Sequence, residues 1–283
     1  MSCNYRHKNL MKEILLASVF MLITKLAFAD LMLYPTRVVI EKNQRAAQVE
    51  IVNRGQKPET YRINLVNRRM TETGEIVEAK ESQEGEKFAD EIVRYSPRQV
   101  TLQPGVAQTV RISVRKPADL AVGEYRSHLQ FDRVPDADGK SNLENISKPD
   151  SGQISIVLQA LIGASIPVIV RQGETALSVT LDGVVLEPAK DKNDPILDFN
   201  INRTGTKSVY GDIVVNYFPV GGKPVEVSKV TGLAVYVPNA LRKAKLPLKL
   251  PEGMSLKGGV LQINFLDRPD AGGKVIATSE FKL

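Results

Sequence analysis

The stretch QISIVLQALIGASIPVIVR, residues 153–171, decides how the rest of the chain is read. Its even positions, Ile154, Ile156, Leu158, Ala160, Ile162, Ala164, Ile166, Val168 and Val170, are all apolar. Its odd positions mix Ser155, Gln159, Gly163, Ser165 and Pro167 with Val157, Leu161 and Ile169. A strand sends alternate side chains to opposite faces, so one face here is wholly apolar and the other mixed. A run of this length can also be a helix. The isoleucine and valine content, Gly163 and Pro167 favour a strand. Strands are typically about 5–6 residues long, so part of this one is expected to have no partner in its own domain. Such a strand invites aggregation unless presenting it is the protein's task. The alternative is a central sandwich strand that bends at Gly163 or Pro167.

Upstream, residues 1–29 read as a secretory signal. Arg6, Lys8 and Lys12 precede an apolar core from Ile14 to about Ile23, and Ala27-Phe28-Ala29 is a small-x-small cleavage site. Met11 is an alternative start that keeps a signal. The apolar run is short for a membrane span, which needs about 20 residues, so no membrane insertion is expected once the signal is cut. Four cations and one acid lie in the signal, so the formal charge of +6 falls to about +3 in the mature chain. That bias is too weak to point to nucleic acid. The single cysteine, Cys3, leaves with the signal, so the mature chain has neither disulfide nor thiol chemistry.

The mature chain divides into 30–172 and 173–283, each rich in strand patterns. In the first part, YPTRVVIE reads as one strand and AAQVEIVNRG as the next, ending at Asn53-Arg54-Gly55. TYRINLVNRRM follows, with Tyr61, Ile63 and Leu65 on one face, and then a polar loop or edge region at 72–91. Pro104-Gly105 turns between Val100–Leu102 and Thr109–Val114. In GEYRSHLQFDRVP, Tyr125, Ser127, Leu129 and Phe131 share a face. Residues 136–152 are turn formers and charges that lead into the long apolar strand. In the second part, ILDFNINRTG alternates Leu197, Phe199 and Ile201, and Gly221-Gly222 separates two further strands. About seven short strands in the first part without helical periodicity imply an antiparallel sandwich, and the second part reads as another, an all-β fold.

Four pieces together resemble the periplasmic chaperones of pilus assembly, the PapD-like family. They are YPTRVVIEKNQRAAQVEIVNRG, SPRQVTLQPGVAQTVRISVR, GEYRSHLQFDRVP and the alternating strand 154–162; GLAVYVPNALRKAKLPL in the second domain adds to them. The resemblance spans nearly the whole mature chain. It implies two immunoglobulin-like β-sandwich domains around an interdomain cleft. It also implies a periplasmic chaperone that caps pilus or fimbrial subunits by donor-strand complementation, delivers them to an outer-membrane usher, and needs no cofactor. Free molecules of such a chaperone can also pair with one another to hide the donor strand.

On this resemblance Ile154, Ile156, Leu158 and Ile162 are the donor-strand knobs, and Arg37 matches the family's first-strand anchor for the subunit's terminal carboxylate. The second family anchor is a lysine whose place here is taken by Pro167. Arg111 and Arg126 are candidates to replace it; otherwise they belong to surface or intradomain salt bridges. Arg171 matches an arginine at the domain junction that pairs with an acid of the second domain, for which Asp267 and Asp270 are candidates.

No Walker A loop, GxGxxG, HExxH or GxSxG occurs, so no enzyme is expected. His128, the one histidine of the mature chain, reads as an ordinary sheet residue. The rival to the chaperone is a secreted two-domain adhesion or carbohydrate-binding β-sandwich protein, which calls for an exposed aromatic platform in a chain without tryptophan. A pilus subunit is a further rival. It would carry one domain and an N-terminal donor extension rather than an internal one.

Overall fold

The computed structural model describes residues 31–135, 163–189 and 194–283. Residues 1–29, read from the sequence as a signal, 136–152, read as a loop, and the expected knobs Ile154, Ile156, Leu158 and Ile162 lie outside these residues.

The first half is a sandwich of two sheets. One sheet holds β1 (Leu31–Tyr34), β3 (Ala46–Asn53), β9 (Ala107–Val114) and β7 (Val93–Ser96) in that order. The other runs β2 (Val38–Ile40), β11 (Gly163–Gln172), β10 (Gly123–Arg133), β4 (Glu59–Val66) and β8 (Gln99–Leu102). Val49, Ile51, Val110 and Ile112 of the first sheet pack on Ile63, Leu129, Phe131, Ile166, Val168 and Val170 of the second. The described even positions of the opening stretch from Ile166 onward therefore fill the core. Ile169, on the opposite face, is also buried, but in a separate cluster.

YPTRVVIE is not one strand. The chain leaves the first sheet after Tyr34 and joins the second at Val38. Pro35 lacks an N–H and cannot continue the β1 ladder, which gives the break its chemical reason. The polar stretch after Met70 also differs from expectation. Residues β5 (Arg68–Met70) and β6 (Ile76–Glu78) form a hairpin. Its turn is closed by the Gly74 N–H on Thr71 O at 2.9 Å, with Gly74 at a φ of +85° that a residue with a Cβ rarely adopts.

The second half is another sandwich. One sheet is β12 (Leu177–Glu187), β13 (Ile196–Gly205) and β16 (Leu241–Pro247); the other is β15 (Val225–Val235), β14 (Val209–Phe218), β17 (Val260–Asp267) and β18 (Val275–Lys282). Leu197, Phe199 and Ile201 pack against Ile213, Val215, Tyr217, Ile263 and Phe265.

A small cluster joins the halves: Met70 of the hairpin, Ile169 of β11, and Ala234 and Tyr236 of the second sandwich. Polar contacts flank it. Asn239 Nδ2 donates to Met70 O at 2.9 Å, and the Lys243 N–H to Glu72 O at 2.7 Å. The hairpin thus adds main-chain pairing to an edge of the second sandwich.

Candidate functional site

The site grows out of the edge of β11. All ten residues from Gly163 to Gln172 pair with β10 on one side. On the other side β2 pairs only with Val168, Ile169 and Val170, in the parallel sense. Among the described residues, Gly163–Pro167 therefore leaves its second side open. Arg37 stands immediately before β2 and so lies level with Pro167. A chain segment laid beside Gly163–Pro167, in line with β2 and running the same way, would arrive with its carboxyl end at Arg37. Unpaired strand edges bind extended segments through main-chain groups, with alternate side chains adding selectivity.

β10 supplies the next residue. Tyr125, Leu129 and Phe131 face the core, so Glu124, Arg126, His128, Gln130 and Asp132 face the other way, and Glu124 and Arg126 meet Ser208 and Tyr236 of the second sandwich. Arg126 is nevertheless only 6% exposed and His128 only 3%. The Arg126 guanidinium lies 4.1 Å from the centre of the Tyr236 ring. Arg37 lies 5.5 Å from the same ring and 4.5 Å from that of Tyr210. Tyrosine faces attract guanidinium groups electrostatically. Arg126 Nη2 donates to Arg68 O at 3.1 Å. Its Nε and Nη1, and Arg37 Nη1, are buried without an acceptor among the described residues, and neither arginine is in an ion pair there. Burial is the main influence that lowers Arg126 below the usual arginine range; Arg37 adds to it, while Tyr236, Glu124 and Glu86 oppose it. Buried, unpaired guanidinium N–H groups favour a carboxylate, which a planar fork can grip with two oxygens.

His128 is pushed down to about 3, first by burial and then by Arg126 and Arg68. It is therefore neutral near pH 7. Its Nδ1 is also without a partner among the described residues.

Arg111 is not brought to this group. In β9 the neighbours Val110 and Ile112 enter the core, so Arg111 points outward, exposed, from the sheet that lacks β11. Arg171 does lie at the junction, but its acids are not Asp267 or Asp270. Its Nε donates to Glu124 at 3.0 Å, and its Nη1 to Glu41. Glu124 in turn accepts the N–H of Ser208 at 3.1 Å and the Ser208 hydroxyl, so the second sandwich contributes a serine rather than an acid. Glu124 and Arg171 stand directly opposite each other on neighbouring strands, which makes the pair natural once the register is known. Asp267 and Asp270 line the same interdomain cavity, about 620 Å³, together with Tyr34, Arg37 and Tyr210. Their neighbour Arg268 pairs instead with Asp212 at 3.2 Å, with Asp270 at 3.8 Å.

Sequence reasoning missed Tyr236 and Tyr210. Tyr236 lies in GLAVYVPNALRKAKLPL, where Leu233 and Val235 belong to the core of the second sandwich. Strand alternation turns Ala234 and Tyr236 the opposite way, toward the first sandwich. That pattern was available in the sequence, but the surface it faces was not.

Among the described residues, no group of three or more His, Cys, Asp and Glu side chains could hold a metal ion. No helix there is long and apolar enough to cross a membrane.

No protein-family model matches the chain, and no curated protein matches it. Solved structures similar to it include the YadV chaperone, 13% identical, with 90% of this chain and 100% of that one covered and a TM-score of 0.45. The CsuC–CsuE chaperone–tip adhesion subunit pre-assembly complex from the archaic chaperone-usher Csu pili of Acinetobacter baumannii is 13% identical, with 90% and 98% covered and a TM-score of 0.44. The Pseudomonas aeruginosa CupB2 chaperone is 11% identical, with 89% and 98% covered and a TM-score of 0.42.

Proposed function

We propose that this chain is a periplasmic chaperone of pilus or fimbrial subunits, of the PapD-like kind that its sequence resembles. It binds rather than catalyses. A subunit lacking one strand of its own sandwich takes up residues 154–162, with Ile154, Ile156, Leu158 and Ile162 entering its groove. Its last strand runs parallel to β11 and ends at Arg37 and Arg126, which hold the terminal carboxylate. The complex then passes its subunit to an outer-membrane usher. The signal sequence supports the compartment.

The observation that carries this reading is that, among the described residues, β11 is half-paired, its open side Gly163–Pro167 running toward Arg37. Main-chain pairing along that edge supplies affinity that is indifferent to subunit sequence, and the apolar knobs supply the rest. Each buried aliphatic side chain contributes about 1.5–3 kcal/mol, so removing two should abolish capture.

The test is co-expression of the secreted chain with a fimbrial subunit encoded beside it. Wild type, Arg37→Ala and the double variant Ile156→Asp/Leu158→Asp are compared by the soluble subunit that co-purifies. The wild type is expected to rescue the subunit and both folded variants to lose it. Equal rescue by all three, or by none, contradicts the mechanism and favours the adhesion reading. Loss in the double variant alone keeps the strand and removes Arg37 as the anchor.

A further inference from the structure

Both arginines of the site belong to the first sandwich, yet the ring that both approach comes from the second. Tyr236 is 7% exposed and packs with Met70, Ile169 and Ala234 in the cluster that joins the halves. Its ring centre lies 4.1 Å from the Arg126 guanidinium and 5.5 Å from that of Arg37. Two like charges brought this close repel, and among the described residues no carboxylate pairs with either. Glu124 and Glu86 draw on Arg126 electrostatically, but Tyr236 is a ring that both guanidinium groups approach, so it can hold the two together. Tyr210 reinforces Arg37 alone, at 4.5 Å.

We propose that Tyr236 is a positioning residue that turns Arg37 and Arg126 into one carboxylate-binding unit, so that the anion site exists only when the two sandwiches are docked. This rests on the chaperone reading given above. Site groups act best when held by a surrounding shell. Here part of that shell is lent by the neighbouring domain. By linkage, a carboxylate that binds the assembled pair also strengthens the docking of the two sandwiches. Tyr236 itself need not touch the carboxylate.

The probe is an acetylated ten-residue peptide of alternating threonine and valine, prepared with a free C-terminal carboxylate and as its C-terminal amide. Calorimetric titration of the mature chain gives the ratio of the two affinities. The wild type is expected to prefer the free acid by about ten-fold or more, as a desolvated guanidinium–carboxylate contact would give. Tyr236→Phe keeps the ring and should keep the ratio. Tyr236→Leu should bring it close to one, as Arg37→Gln should, while binding of the amide by the Tyr236→Leu protein changes little. Tyr236→Met, which fills the same apolar cluster without a ring, serves if the leucine variant fails to fold and should behave alike.

A ratio unchanged in the folded Tyr236→Leu or Tyr236→Met protein overturns the positioning role and leaves the carboxylate anchor standing. A wild type without preference for the acid overturns the anchor itself, and this proposal with it.

Discussion

His128 shows what a buried polar residue in this sheet does to stability. Its folded pKa of about 3 lies below the ordinary value of 6.5. Between those values the unfolded chain binds a proton that the folded chain refuses, so stability falls as pH drops below about 6.5. The slope is about 1.4 kcal/mol per pH unit. Urea unfolding at pH 6.5 and pH 5 should therefore differ by about 1.6 kcal/mol from this residue. His128→Gln should remove that part of the difference, and an unchanged slope would show that the imidazole is more accessible than its burial implies. Glu124 is a second residue-scale case. It accepts from Arg171 and from Ser208, and its side chain is only 1% exposed. Glu124→Ala leaves a buried guanidinium with Glu41 as its remaining acid, and breaking such a pair costs about 3–5 kcal/mol. Thermal unfolding should show a large drop in Tm, with Glu124→Gln falling between the two.

At the scale of elements, alternation was the legible part. Ile166, Val168 and Val170 are core residues because they share the apolar face of the quoted stretch. Tyr125, Leu129 and Phe131 follow from the same rule. The break between β1 and β2 was harder to see, because YPTRVVIE keeps an unbroken strand composition while Pro35 changes sheets. The β5–β6 hairpin was hidden by its charges: residues 72–91 are polar because they cover the surface, yet Met70 and Ile76 anchor them. The Glu124–Arg171 pair needed the β10–β11 register, which local sequence does not contain. The hairpin makes its own prediction. A Cβ at Gly74 would lie 2.3 Å from Arg242 Nη2, on a backbone with positive φ. Gly74→Ala should cost about 1–3 kcal/mol. It should also speed hydrogen exchange at the Lys243 amide, which the hairpin binds through Glu72 O. Unaltered exchange there would mean that the hairpin does not hold the second sandwich.

The whole chain has one cysteine, Cys3, so no disulfide can form within it. What joins the sandwiches is a small apolar cluster, a hairpin edge and the Glu124 pairs, with the arginine cleft beside them. Arg37 and Arg126 were legible as candidates, one by resemblance and one by charge. Their meeting on Tyr236 was not, because that contact forms between parts of the chain about a hundred residues or more apart in sequence. In the proposed mechanism a subunit strand pairs along the open side of β11 and ends at Arg37. Hydrogen–deuterium exchange of the mature chain, free and with a bound fimbrial subunit, tests it most directly. Protection should appear across residues 154–166, the proline having no amide to report, while amides of edge strands away from β11, such as β1, β7 and β12, exchange as before. Protection at those other edges, with 154–166 exchanging as in the free protein, would contradict it.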